Sequence, residues 1–166
     1  KVSFINFNSN DGLGGDTYIG QVAARTEDGT FYFGGDHGLN AISSISANKT
    51  PPELIFSDLL ISNKSVFDMD DDSPLDKDLN STTRLELSFK ENNLSFEFAA
   101  LHYANPEKNQ YAHFLKGYDD DWVYDNRNYA SYTNLDPGNY EFMIRASNSY
   151  GTWSEDAKSI QLKIRP

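Results

Sequence analysis

The sequence predicts an all-β chain, a two-sheet β-sandwich preceded by a short antiparallel meander, and three observations carry that prediction. Apolar residues recur at every second position through most of the chain, the period of half-buried strands. Aromatics are abundant, with eleven Phe and ten Tyr against two Met, a composition that favours packed strands over helices. Turns rich in Gly, Pro, Asn and Asp interrupt the alternation at short intervals, and no helical period persists beyond a turn or two. At 166 residues the chain is long enough to bury a core in one domain or one and a fraction.

Residues 1–46 contain "VSFINF", "TYIGQVAART", "TFYFGG" and "GLNAIS", with an Asp-Gly turn at 27–29; this rhythm predicts four strands of a meander. "SANKTPP" then breaks the pattern, and two prolines cannot sit inside a ladder, so residues 47–52 read as a linker. From Glu53 the two-residue period returns. It places Leu85, Leu87 and Phe89 on one face, as it does Leu94, Phe96 and Phe98. It likewise groups Tyr140, Phe142, Ile144 and Ala146, and Ile160, Leu162 and Ile164. About seven strands in roughly 110 residues predict a sandwich over residues 53–166. The stretch 64–83 is the least patterned and reads as an exposed loop around a short strand.

Composition narrows the function. A formal net charge of −11, from 25 acids and 14 bases, repels a phosphate backbone and an anionic lipid surface. The acidic runs at 68–72 and 119–121 read as solvated surface. The chain has no cysteine, which removes disulfides, thiolate zinc sites and a cysteine nucleophile. No run of eighteen apolar residues is present. The opening "KVSFINFNSN" alternates instead of forming a signal-peptide core, as expected of a segment that begins in mid-structure.

The motifs of catalysis and metal binding fail in detail. Asp68, Asp70 and Asp72 alternate as in an EF-hand loop, but Ser73 stands where the loop needs Gly and Leu79 where it needs Glu. His37, His102 and His113 lack metal-ligand or nucleophile-base spacing and read as ordinary strand or loop residues. Gly34, Gly35 and Gly38 precede no helix, so they read as turn glycines and not as a dinucleotide fingerprint. No carboxylate pair stands in a glycosidase-like context. Neither a catalytic residue nor a metal nor a cofactor is expected.

"SYTNLDPGNYEFMIRASNSYGTWS", residues 131–154, concentrates five aromatics around a Pro-Gly turn. Asn134 to Gly138 suit a type II turn, with Pro137 fixing the first central φ and Gly138 taking a positive second one. Tyr140 follows where a tyrosine corner places a buried phenol to bond the backbone near Leu135 or Asp136. Asn148 to Gly151 supply a hairpin turn, and Trp153 begins the return as a core or sheet-edge plug. The stretch therefore reads as a fibronectin-like corner and hairpin.

"NNLSFEFAALHYANPEKNQYAHFLKGYDDDW" followed by "YASYTNLDPGNYEFMIRASNSYGTWS" resembles the three-tyrosine (Y_Y_Y) domain of bacterial hybrid two-component sensors. "DGLGGDTYIGQVAARTEDGTFYFGGDHGLNAIS" is similar to the last β-propeller repeat that precedes this domain in such sensors. The resemblance implies a four-stranded piece of a propeller blade over 1–46 and an immunoglobulin- or fibronectin-like sandwich over 53–166. It assigns the three named tyrosines to Tyr111, Tyr132 and Tyr140, with Gly117, Trp122, Pro137, Gly138 and Trp153 as structural companions. It also implies a periplasmic part of an inner-membrane sensor that responds to oligosaccharides, held by a membrane helix outside this sequence. In that setting the sandwich is a non-catalytic relay and dimerisation module, self-association belongs to the full sensor, and sugar is bound mainly by propeller loops. The alternative is a carbohydrate-binding or adhesion-type module of a secreted protein, with Trp122, Trp153 and Tyr150 as an aromatic platform.

Overall fold

A computed structural model describes residues 6–44, 48–69 and 73–166. The backbone divides into two compact units, residues 1–49 and 50–166. Among the described residues there is no α-helix, and no helix is long and apolar enough to cross a membrane.

The first unit is an antiparallel three-stranded sheet of β1 (Tyr18–Arg25), β2 (Phe31–Gly35) and β3 (Gly38–Ile42), in that order. Its first turn is closed by Asp28, whose Oδ1 accepts from Thr26 Oγ1 at 2.5 Å and from the Thr30 amide at 3.2 Å. Those bonds hold the Asp28 carboxyl below its ordinary pKa. β1 is bulged between Tyr18 and Ala23, with Gln21 at φ 70°. Tyr18 and Phe33 meet edge to face at 5.0 Å. The expected strand "VSFINF" falls mostly outside the described residues, and its described end leads into a single 3-10 turn, Ser9–Asp11. Thr30 is the only buried residue described in this unit.

Among its described residues the second unit contains nine strands: β4 (Glu53–Ile61), β5 (Lys64–Ser65), β6 (Arg84–Leu87), β7 (Leu94–Leu101), β8 (Gln110–Lys116), β9 (Val123–Asp125), β10 (Tyr129–Tyr132), β11 (Gly138–Ser147) and β12 (Lys158–Ile164). One sheet runs β10-β7-β4-β5, the other β6-β12-β11-β8-β9. Every pairing is antiparallel except β6 with β12. The inward faces follow the two-residue period, and the core centres on Phe142 of β11, stacked on Phe96 of β7 at 4.0 Å.

Two expectations are corrected here. Phe89 does not extend the buried face of Leu85 and Leu87: Ser88 and Glu91 form a capping box, the chain turns, and Phe89 is 52% exposed. The stretch 64–83 is more than a surface loop, because Val66 and Leu79 enter the core. Beside them Asn80 accepts from the Phe56 amide at 2.8 Å and donates to the Phe56 carbonyl at 2.9 Å. A side-chain amide thus satisfies the edge of β4 at its bulge between Phe56 and Asp58. Of the three alternating aspartates, Asp70 and Asp72 lie outside the described residues.

Candidate functional site

Three tyrosines, each on a strand or at its start, use their phenols to tie together parts of the sandwich that no backbone ladder joins. Tyr111 on β8 is buried, and its oxygen accepts from the Ala100 amide of β7 at 3.3 Å. β10 covers β7 only as far as Glu97, after which the Phe98 amide donates to the Asn128 carbonyl at 2.9 Å. Two residues on, the Tyr111 phenol takes the place of the missing strand.

Tyr132 on β10 is buried between the sheets. Its hydroxyl donates to Asp119 Oδ2 at 2.8 Å and lies 3.0 Å from His113 Nδ1 on β8. Because that hydroxyl's proton goes to the carboxylate, its oxygen is left to accept, which requires a proton on His113 Nδ1. Asp119 Oδ2 also accepts from the Leu115 amide at 2.7 Å. Burial and the adjacent Asp119 hold the Tyr132 phenol well above its ordinary pKa. Burial pushes the His113 imidazole down, against the pull of Asp119 and Asp125. His113 is 9% exposed, so the chain His113, Tyr132, Asp119 resembles an acid-base relay in its residue types while its hydrogen bonds are spent within the fold.

Tyr140 at the start of β11 donates to the Asp136 carbonyl at 2.9 Å, a bond at the surface between a half-buried ring and the β10–β11 crossover. The expectation of a buried ring is corrected to a half-buried one. The turn is corrected as well: positive φ falls on Asn134, at 54°, and not on Gly138, which opens β11. The crossover needs no type II turn because its backbone is held elsewhere. The Leu135 amide donates to the Asn92 carbonyl at 3.1 Å, Asn92 Nδ2 donates to the Leu135 carbonyl at 3.3 Å, and the Asn134 amide donates to Asn93 Oδ1 at 3.0 Å. Pro137 is exposed within this crossover. Gly117, at φ 95°, is the position that requires glycine: a Cβ there would lie 3.1 Å from the Tyr140 ring and 3.2 Å from the Asn139 carbonyl.

The two tryptophans do not share a platform. Trp122 packs on Phe114 of β8, with centroids 5.8 Å apart, while Trp153 meets Tyr124 of β9 edge to face at 5.6 Å. Tyr150 lies in the hairpin turn built by Asn148, whose Oδ1 accepts from the amides of Tyr150 and Thr152 at 2.9 and 3.0 Å. Sequence reasoning read His113 as an ordinary strand or loop residue and Asp119 as part of a solvated acidic run, and did not single out Tyr124. The signal for His113 was present, since the period that buries Tyr111 and Leu115 points the residue between them inward too. Asp119 was hidden in an acidic run whose other two members are exposed.

Residues 102–165, which carry all three tyrosines, match the Y_Y_Y domain family. Over 162 residues the chain is 30% identical to histidine kinase P4 of Formosa agariphila, covering 96% of this chain and 12% of that protein. Its fold matches the extracellular domain of BT3049 from B. thetaiotaomicron, described as a hybrid two-component system, with a TM-score of 0.79, 22% identity and coverage of 98% of this chain and 22% of that one. It also matches the extracellular domain of BT4673 from the same organism, with a TM-score of 0.60 and 28% identity over 87% of this chain and 20% of that one. The chain therefore spans an eighth to about a fifth of the relatives it matches.

Proposed function

We propose that this chain, a Y_Y_Y-domain segment related to the extracellular regions of two-component sensors, passes on a change of position or association and performs no chemical step. It lies outside the cytoplasm, on the periplasmic side, as the extracellular domains it matches do. The observation that carries the reading is the set of tyrosine ties. Tyr111 joins β8 to β7, Tyr132 joins β10 to β8 and the turn after it, and Tyr140 joins β11 to its crossover. The first two link opposite sheets, so a displacement applied to one sheet moves the other with it. A rigid body of this kind suits a sensor in which paired chains change separation or twist.

Oligosaccharides are the proposed stimulus and self-association the proposed output. The test is sedimentation of the complete extracellular region at tens of micromolar, where weak interfaces are populated, with and without oligosaccharide. Self-association supports the relay; a monomer under both conditions overturns it. The second reading, a carbohydrate-binding module, is favoured by one observation, the corner made by exposed Tyr124 and half-buried Trp153, and not by the expected grouping of Trp122, Trp153 and Tyr150.

A further inference from the structure

Among the clefts of the described sandwich are a ringless polar one of about 290 Å³, lined by Asp76, Lys77, Arg84 and Glu86 among others, and two that carry aromatic rings. The larger, about 480 Å³, lies along a row of long polar side chains including Lys116, Glu141, Gln161 and Lys163. Its one ring is Tyr140, whose phenol is committed to the Asp136 carbonyl. The smaller, about 220 Å³, lies at the Gln110 end of β8 and is lined by Gln110, Tyr111, Tyr124, Asp125, Asn126 and Trp153.

The chemistry of the smaller cleft is directional. Tyr124 is 70% exposed, and its ring stands at 82° to that of Trp153, so the two form a right-angled apolar corner. Asp125 closes the polar side. Arg127 donates to it through its backbone amide at 3.1 Å and through Nε at 2.5 Å, and these bonds keep the carboxylate ionised. The amides of Gln110 and Asn126 each offer a donor and an acceptor. A planar aromatic ligand is best served by parallel faces, whereas a saturated ring with one C–H face and a rim of hydroxyls fits a corner of this kind. The size suits one ring, below the roughly 300–1,000 Å³ of drug-sized sites. A net charge of −11 favours a neutral ligand over an anionic one.

We infer that this corner is a carbohydrate subsite that takes one neutral pyranose ring, its C–H face on Tyr124 or Trp153 and its hydroxyls on Asp125, Asn126 and Gln110. The subsite belongs to the sandwich itself and rests on the second reading, the carbohydrate-binding module; the sedimentation test of the relay reading is unaffected by its success or failure.

The chain has two tryptophans, so a ¹⁵N spectrum of the full 166-residue chain contains two indole signals, and Trp122 serves as the internal control. The probes are D-glucose, D-galactose, D-mannose and N-acetyl-D-glucosamine, each raised to about a hundred times a Kd of roughly 1 mM. At least one should shift the Trp153 indole and the amides of 124–126 saturably while the Trp122 indole stays still. Tyr124→Ala and Asn126→Ala, both at exposed positions, should weaken that response about tenfold or more in proteins whose remaining spectrum is native. The inference is overturned if no probe gives a saturable shift at Trp153, if both indoles shift alike, or if folded Tyr124→Ala and Asn126→Ala respond as the parent does.

Discussion

The phenols of Tyr132 and Tyr140 make the same kind of bond in different surroundings, and the difference sets their worth. Tyr140 lies half in solvent, so in Tyr140→Phe water can reach the Asp136 carbonyl, and the loss should be about 0.5–1.5 kcal/mol. Tyr132→Phe leaves His113 and Asp119 without a shared buried partner, and about 1–3 kcal/mol should be lost. Urea midpoints for the two variants check this order; Tyr140→Phe as the more damaging change would contradict it. His113 adds a dependence on pH. Burial lowers its pKa from the ordinary 6.5, so the unfolded chain takes up this proton at higher pH than the folded one. Stability is then full above about pH 6.5 and declines as pH falls toward the lowered folded value. That window lies above the ordinary carboxylate range, which keeps it apart from Asp125 and Glu86, whose pKa values are also lowered. Urea midpoints at about pH 7.5 and about pH 5.5 should differ in the parent and converge in a folded His113→Gln variant.

At the scale of elements, what was legible in the sequence follows from how locally each feature is determined. The inward faces of β7, β11 and β12 come from a two-residue period that any half-buried strand must keep. Their residues Leu94, Phe96, Phe98, Phe142, Ile144, Ile160 and Leu162 are all buried. Strand ends and side-chain substitutes for strands depend on partners far away in sequence. Phe89 was misread because the capping box at Ser88 outweighs one more apolar residue in register. Asn80 could not be foreseen, because its partner at Phe56 lies 24 residues earlier and is defined only once β4 bulges. Its role is testable. Asn80→Ala deprives the amide and the carbonyl of Phe56 of their partner at a sheet edge, so about 1–3 kcal/mol should be lost. Hydrogen exchange at the Phe56 amide should accelerate beyond the change in global stability, and unchanged relative protection there would remove Asn80 from the account of β4.

For the molecule as a whole, the sequence carried the all-β class and the corner's ingredients, Tyr140, Pro137 and Gly117, but not which residues would gather from different strands. His113 on β8, Tyr132 on β10 and Asp119 in the turn after β8 meet only because two sheets are laid face to face. Tyr124 and Trp153 meet because the chain between β11 and β12 folds back to bridge Ser147 to Trp153. The two units differ in how much they bury. The whole hydrophobic cluster, from Leu54 to Ile164, lies within residues 50–166, whereas the described part of residues 1–49 buries Thr30 alone and leaves Phe31 49% exposed. Stability measured on the full chain should therefore be that of the second unit, since burial of apolar surface is the dominant favourable term. A fragment of residues 50–166 should fold with an unfolding free energy, from urea titration, within about 0.5 kcal/mol of the parent's, and trypsin should cut the parent first within residues 1–49, where Arg25 and Lys49 are exposed. A fragment that fails to fold, or that is weaker by more than about 1 kcal/mol, would mean that the first unit contributes to the stability of the sandwich.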